Sequence, residues 1–255
     1  MRRMFRSLAR LGQMLGLVVA MSFAQSVPLA ADGAVDRVVA AHYPPLMIKG
    51  SAERPGVAIE ILQAAADRLD RSITVEFLPF QRAMFQVQQR SDTMMAALFR
   101  SPEREAGFQW IVQIQKAELR FITKGVPVSD LDVARQLKSI AVESGSSTQR
   151  FLLDREFTNV YSTIGPDASA DMLAFGRVDA WFLTQFLGEE VWLQHGLGQS
   201  VIFGNPVHEV PVYLVAGPGF SPDLAKKYHD AIAAMTASGE LAQIRDRYNR
   251  SNGGY

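Results

Sequence analysis

The chain of 255 residues contains no cysteine. Disulfide bonds are therefore excluded, and so is a thiol to which a lipid could be attached. An oxidising compartment outside the cytoplasm poses no problem for such a chain.

Histidine is scarce as well, and its four copies are scattered along the chain. No His-Glu-x-x-His pairing or similar metal motif is present, so we predict neither a metal site nor a cofactor. A Gly-x-Ser-x-Gly motif and a phosphate-binding loop are also absent from the sequence. The sequence therefore offers none of these signatures of metal-dependent, nucleophilic or phosphate-binding chemistry. The histidines are His42, His195, His208 and His229.

An apolar run from Leu11 to Phe23 follows a start that is rich in arginine and free of acidic residues. This pattern is typical of a signal peptide, and the run is shorter than the roughly 20 apolar residues of a membrane-spanning helix. We predict that residues 1–31 are a signal peptide, cleaved after residue 24 or residue 31, and that the mature protein is soluble and periplasmic. The alternative is an uncleaved amphipathic start.

The predicted processing changes the charge of the chain. Basic and acidic residues number 26 each in the whole sequence, and loss of the four leader arginines leaves 22 basic residues against 26 acidic ones, a net charge of −4. A mildly acidic protein gives no reason to expect nucleic acid as a partner.

Strand and helix patterns alternate along the rest of the chain. Ile59, Leu62 and Ala66 recur at helical spacing and predict a helix over 56–69, and the alternation over 73–77 predicts a strand. Repeated strand, helix, strand order predicts an α/β architecture with parallel sheets. Further strands are predicted over 37–41, 94–98, 119–123, 139–142, 157–161, 178–183 and 212–216, and further helices over 80–89, 129–137, 147–155, 167–176, 184–194, 222–237 and 239–248.

Four short segments in this order carry a resemblance to a known family. They are Gly56-Val57-Ala58-Ile59-Glu60-Ile61-Leu62, Ser101-Pro102-Glu103-Arg104-Glu105, Gly176-Arg177-Val178-Asp179-Ala180 and Gly239-Glu240-Leu241. Their order and spacing resemble the periplasmic solute-binding proteins of the polar amino acid type, family 3, which serve ATP-driven importers.

The resemblance implies the type II periplasmic binding protein fold, an α/β structure of two lobes joined by two crossing strands at a hinge. Applied to this chain, residues 32–119 and 213–255 form lobe one, and residues 120–212 form lobe two. It also implies a small-molecule ligand between the lobes, the membrane permease of an ABC-type importer as a possible partner, and a monomeric protein.

Arg104 is a candidate for binding a carboxylate. Ser101 is a good N-cap and Pro102 a good first helical residue, so Arg104 falls in the first turn of a predicted helix. A guanidinium in that position can make a two-pronged contact with a carboxylate. The alternative is a solvated arginine paired with Glu103 or Glu105.

A second anion-binding element is predicted at Gly145, Ser146 and Ser147, between a strand and a helix. Small residues at such a junction allow backbone N–H groups to face an anion. The turn is similar to the Gly-Thr-Thr or Gly-Ser-Thr turn that meets the ligand carboxylate in the family. In most proteins, however, such a motif is an ordinary capped turn.

Aromatic residues are predicted to form the walls of the cleft. Tyr43 matches the aromatic residue that follows the first strand in many relatives, and Phe80 falls where they often carry Trp or Phe. Phe99 is a further candidate. Each of these rings could instead belong to the core, because aromatic side chains are generally well buried.

Two departures from the family bear on the ligand. Ala97 and Phe99 replace hydroxyl residues that precede the arginine motif in amino acid binders, and Thr184 stands where an aspartate holds the ligand ammonium. A hydroxyl can accept a hydrogen bond from an ammonium group but cannot neutralise its charge. We therefore expect a carboxylate ligand with an apolar or aromatic body, and no preference for standard α-amino acids.

Two other functions remain open at this stage. The fold also carries a periplasmic dehydratase of prephenate-like acids, and a decayed cleft would suit a helper subunit of an oxidoreductase. Enzyme chemistry would need an acid or base, and the candidates His42, Glu143 and Glu209 form no recognisable constellation in the sequence.

Overall fold

The computed structural model describes residues 34–196 and 200–249. The predicted signal peptide and its cleavage site lie outside the described residues. None of the described helices has both the length and the apolar character that crossing a membrane requires.

The first lobe is a parallel sheet with helices on both faces. Its elements are β1 (Val35–Ala40), α1 (Val57–Arg68), β2 (Ser72–Phe77), α2 (Phe80–Gln89) and β3 (Thr93–Phe99). β1 lies between β2 and β3 and is parallel to both. Since successive strand residues point to opposite faces, Val38 packs in the cluster that contains α1, and Val39 packs with α2.

Two long strands connect the lobes. β4 (Gln109–Thr123) and β9 (His208–Ala216) pair in antiparallel fashion from Gln109 opposite Ala216 to Leu119 opposite His208. The sequence predicted only the 119–123 and 212–216 parts of these strands. The pairing register shifts twice on β4, and the extra residues at these shifts are the buried Ile111 and Ile114. The predicted pair of crossing strands at the hinge is therefore present.

The second lobe repeats the layered arrangement. Its elements are α3 (Leu131–Arg135), β5 (Ile140–Glu143), α4 (Ser147–Leu153), β6 (Val160–Thr163), α5 (Pro166–Ala174), β7 (Ala180–Thr184), α6 (Gln185–Gln194) and β8 (Ile202–Phe203). β5 is parallel to β6 and β7, while β7 and β8 are antiparallel to β4. The strand order is β2-β1-β3-β9-β4-β7-β5-β6, with β8 added on β4. The residue limits of the two lobes stay a prediction.

The last two helices, α7 (Pro222–Ala237) and α8 (Glu240–Asn249), pack against α1 of the first lobe. A buried polar network fixes α7 to the start of the sheet. Asp36 on β1 accepts hydrogen bonds from Arg71 at 2.6 and 2.5 Å and from the hydroxyl of Tyr228 at 2.6 Å. Because Asp36 is buried, this network compensates for removing its charge from water.

Candidate functional site

A cavity of about 60 Å³ lies between the two lobes. Its walls are mostly apolar, with one arginine, one glutamate and a group of hydroxyl residues. The wall residues are Tyr43, Leu46, Met47, Phe80, Ala97, Leu98, Phe99, Arg104, Glu143, Ser146, Ser147, Thr148, Leu183, Phe186, Leu187 and Val212.

Arg104 lies in the cavity wall, in the first turn of a short helix over Pro102–Gly107 that is of the 3₁₀ type. It is only 7% exposed, its Nη1 donates to the Phe99 carbonyl oxygen at 3.2 Å, and its guanidinium lies 5.4 Å from the Phe80 ring centroid. Burial lowers the pKa of Arg104, whereas nearby Glu103 acts in the opposite direction. A buried guanidinium without a carboxylate bonded to it is suited to receive one from a ligand.

The alternative of a solvated arginine paired with a neighbouring acid is not what the structure shows. Glu105 accepts two hydrogen bonds from Arg100, at 2.8 and 3.0 Å. Glu103 accepts from the hydroxyl of Ser101 at 2.6 Å, and the Ser101 side chain does not cap the turn. Both acids therefore have other partners, and Arg104 is left to the cavity.

Glu143 faces Arg104 within the same cavity. It lies at the end of β5, is partly buried, and accepts a hydrogen bond on Oε2 from the hydroxyl of Tyr43 in the other lobe. Burial raises the pKa of Glu143 to about 7, against the opposing effects of the Tyr43 hydrogen bond and of the Arg104 charge. Burial, followed by the charge of Glu143, also raises the pKa of Tyr43. The carboxyl of Glu143 is therefore divided between its two protonation states near neutral pH.

Tyr43 and Phe80, two of the aromatic residues predicted for the cleft wall, both line this cavity. The ring of Tyr43 meets that of Phe80 edge to face, with centroids 5.6 Å apart and planes inclined by 73°. Phe99 is also part of the cavity wall, next to Ala97. These rings give the cavity a surface on which a planar or apolar part of a ligand can pack.

The predicted anion turn lies partly in the cavity. Ser146 and Ser147 line it, but Gly145 does not and instead borders a neighbouring groove. The N–H of Gly145 donates to Oε1 of Gln149 at 2.7 Å, so this donor is already engaged within the loop. Ser146 caps α4, with its Oγ accepting from the backbone N–H of Gln149 at 3.1 Å and donating to the Glu143 carbonyl oxygen at 2.6 Å. Of the three turn residues predicted to bind the anion, Ser147 is the one that lines the cavity without serving as the cap of α4.

Thr184 lies at the N-cap of α6 and is fully buried. Its Oγ1 has no hydrogen-bond partner among the described residues, and the segment contributes Leu183, Phe186 and Leu187 to the cavity wall instead. The segment around position 184, where an acid was expected, therefore presents apolar side chains to the cavity, and Thr184 itself does not line it.

The acidic residue in the wall of this cavity is Glu143, one of the three acid or base candidates that the sequence offered. Glu143 ends a parallel strand, and ligands in α/β folds bind beyond the carboxyl ends of such strands, which is the signal that could have found it. The other two acid or base candidates lie elsewhere. His42 is exposed and accepts from the Lys49 backbone N–H at 3.1 Å, and Glu209 pairs with Lys116 at 2.7 Å on the exposed crossing strands.

The whole described fold and its cleft correspond to a known family. The profile of the bacterial extracellular solute-binding proteins, family 3, matches residues 35–251. The chain belongs to this family. The match confirms the resemblance that the four sequence motifs indicated.

An L-arginine-binding protein of Pseudomonas aeruginosa is 24% identical over 242 residues, which cover 90% of this chain and 93% of that protein. A histidine kinase sensor domain with similarity to periplasmic binding proteins has a TM-score of 0.76 at 14% identity, with 84% of this chain and 95% of that chain covered. An ancestral arginine-binding protein bound to arginine has a TM-score of 0.73 at 16% identity, with 84% and 97% covered. These structures share the fold of this family member and confirm the predicted two-lobed α/β class.

Proposed function

We propose that this member of the family captures a small carboxylate-bearing ligand, either amino-acid-like or an organic acid, between its two lobes. The observation that carries the proposal is the environment of Arg104. Its guanidinium is buried in the cavity wall, and no described carboxylate forms an ion pair with it. Bound ligand would supply the missing anion, and Ser147 of the facing loop would add a hydroxyl donor.

We place the mature protein in the periplasm, where it acts as a monomer and hands its ligand to the permease of an ABC-type importer. This part of the proposal rests on the family and on the leader pattern in residues 1–31. The similarity to an L-arginine-binding protein favours an amino-acid-like ligand. Copurification of the ligand-loaded protein with the permease from solubilised membranes tests the partnership.

Replacement of Arg104 tests the proposed ligand contact. We expect Arg104→Ala to weaken carboxylate binding by about 2 to 5 kcal/mol, the scale for breaking a buried charge pair. Thermal-shift screening of small carboxylates, followed by calorimetry, measures the effect. Arg82→Ala, which removes an exposed arginine of α2, is the matched control and should leave affinity unchanged. Tight carboxylate binding that survives Arg104→Ala would contradict the assignment.

A dehydratase-like enzyme is the second candidate, and the raised pKa of Glu143 favours it. A carboxyl with a pKa of about 7 can act as a general acid at neutral pH and protonate a departing hydroxyl group. Incubation with prephenate or a related acid separates the two functions. A binding protein returns the compound unchanged, whereas an enzyme forms product, and Glu143→Gln should abolish that turnover.

A further inference from the structure

The cavity contains one cation and one anion from the chain itself, and they come from different lobes. Arg104 belongs to the turn that follows β3, and Glu143 ends β5. The attraction between them favours the ionised form of Glu143, yet burial outweighs it. The attraction between Arg104 and Glu143 therefore does not fully offset the cost of burying the Glu143 charge. A ligand that carries both a negative and a positive charge would bring a counter-charge to each of these two residues.

Among the described residues, Tyr43, Arg104 and Asp167 act on Glu143 from the elements packed around it, and His42 and Lys49 line an adjoining groove that Glu143 also borders. Tyr43 follows β1 and donates a hydrogen bond from its hydroxyl to the carboxylate, and Arg104 contributes a positive charge from the 3₁₀ turn. Asp167, in the first turn of α5, contributes a negative charge and is itself paired with His195 at 2.8 Å. A cation beside Glu143 would relieve the repulsion between Glu143 and Asp167.

Thr184 cannot perform this role. Its hydroxyl is buried outside the cavity wall, and the neighbouring residues of the same segment present apolar side chains to the ligand space. Glu143 is the one acidic residue in the wall of this cavity among the described residues. A cationic group of a ligand in this cavity would therefore find its counter-charge on β5 rather than at the start of α6.

We propose that Glu143 is the specificity-determining acid of the cavity and that it selects ligands bearing a cationic nitrogen, in place of residue 184. The inference rests on the proposed function, because it assumes that the carboxylate of the same ligand meets Arg104. This proposal reverses the expectation, drawn from Thr184, that the site has lost the acidic group that holds a ligand ammonium. The ligand nitrogen replaces the hydroxyl of Tyr43 as the hydrogen-bond donor to Glu143.

The proposal predicts a proton exchange whose sign depends on the ligand. With a pKa of about 7, Glu143 holds about half a proton at pH 7. An ammonium group beside it favours the carboxylate, so binding releases up to ~0.5 proton per ligand at pH 7. A carboxylate without the nitrogen neutralises Arg104 and leaves Glu143 beside a second anion, so its binding takes up a proton. The number of protons released per ligand is larger at pH 6 and smaller at pH 8, because Glu143 is already ionised at pH 8.

Calorimetry with matched ligand pairs tests the proposal. The probes are L-glutamine with 4-carbamoylbutanoate, L-leucine with 4-methylpentanoate, and L-phenylalanine with 3-phenylpropanoate, which differ within each pair only in the α-amino group and whose des-amino members carry no cationic nitrogen. Titrations at pH 6, 7 and 8, each in two buffers that work at that pH and differ in ionisation enthalpy, give the number of protons exchanged. We expect at least one amino acid to bind at least tenfold more tightly than its partner, with proton release.

Variants assign the effect to its residue. Glu143→Gln should remove the proton release and weaken the amino acid at least tenfold, while leaving its des-amino partner bound. Glu209→Gln, at an exposed acid on β9, should change neither quantity. The proton count of the unaltered protein is an independent readout should Glu143→Gln fail to fold.

Each remaining outcome overturns a specific claim. Des-amino partners that bind as tightly as the amino acids through Arg104, or a proton release that survives Glu143→Gln, refute the role of Glu143 and leave the proposed function standing. Binding of none of the six probes refutes both.

Discussion

Tyr43 and Glu143, 100 residues apart in the sequence, join the two lobes through a hydrogen bond from the phenol hydroxyl to the carboxylate. A second contact supports this closure, since Nε2 of Gln81 donates to the backbone oxygen of Ser144 at 3.2 Å. Both contacts are made by the end of β5 and the loop that follows it, so this segment is bonded directly to the opposite lobe.

The Tyr43 hydroxyl stabilises the ionised form of Glu143, so its removal should raise the pKa of Glu143 above about 7. Tyr43→Phe makes this change while keeping the ring that packs on Phe80. Carbon NMR of labelled glutamate carboxyls across a pH series measures it. Tyr161→Phe, at an exposed ring on β6, is the control. An unchanged Glu143 pKa in Tyr43→Phe would show that the bond across the cleft does not form in solution.

The pKa of Glu143 also makes stability depend on pH. Because its pKa rises from an ordinary 4.5 to about 7 on folding, the folded protein holds more protons between these values. The contribution of this group to stability is therefore full below about pH 4.5 and is lost as the pH rises through 7. Relative to the unaltered protein, Glu143→Gln should gain about 1 to 3 kcal/mol between pH 4.5 and pH 8 in urea denaturation. A parallel pH profile for both proteins would contradict the raised pKa.

The network of Asp36, Arg71 and Tyr228 should dominate the attachment of α7. Asp36→Asn removes the partner of a partly buried guanidinium, and we expect a loss of about 2 to 4 kcal/mol in chemical denaturation. Tyr228→Phe removes one hydrogen bond and should cost about 1 kcal/mol. Asp92→Asn breaks an exposed pair with Arg90 at 2.9 Å and should cost less than about 1 kcal/mol. Equal losses for Asp36→Asn and Asp92→Asn would argue against a structural role of the buried network.

The unpartnered hydroxyl of Thr184 should make the protein less stable than its apolar isostere. Thr184→Val replaces a buried polar group by a methyl group, and we expect a gain of about 1 kcal/mol with unchanged ligand affinity. Thr123→Val is the matched control, because its buried Oγ1 donates to the Val126 carbonyl oxygen at 2.9 Å. That variant should lose about 1 kcal/mol. Destabilisation by Thr184→Val would mean that its hydroxyl has a partner in solution.

Elements with a regular apolar period could be predicted from the sequence almost to the residue. The limits of α2 and α7 agree with the predicted 80–89 and 222–237. At α7 the signals are local, because Ser221 accepts from the Leu224 N–H at 3.3 Å and Pro222 occupies the first turn. Such elements need no information from distant parts of the chain.

The first ten residues of β4 could not be predicted in the same way. Each of the two register shifts inserts a residue, so the period of two that marks a strand breaks at Ile111 and again at Ile114. Polar residues of this segment, such as Gln113 and Gln115, are partly exposed because they lie along the connection between the lobes. A strand of this kind is recognisable only once its partner β9 is known.

The site was predictable in its parts but not in its charge balance. Local motifs, together with the family resemblance that they carry, led to Arg104 and the serine turn as candidate ligand-binding residues. The role of Glu143 depends on Tyr43 and Arg104, which the fold brings to it from distant positions. Its altered protonation comes from burial between two lobes, which no local sequence pattern encodes.

The two register shifts of β4 restrict how the lobes can move. A regular ladder can slide by two residues and keep its inward and outward faces. Here a slide would pull Ile111 and Ile114 out of the core, and it would separate the Ile114 carbonyl oxygen from Arg245, which donates to it. These contacts oppose translation along the crossing strands, and we expect the lobes to open and close by rotation about β4 and β9.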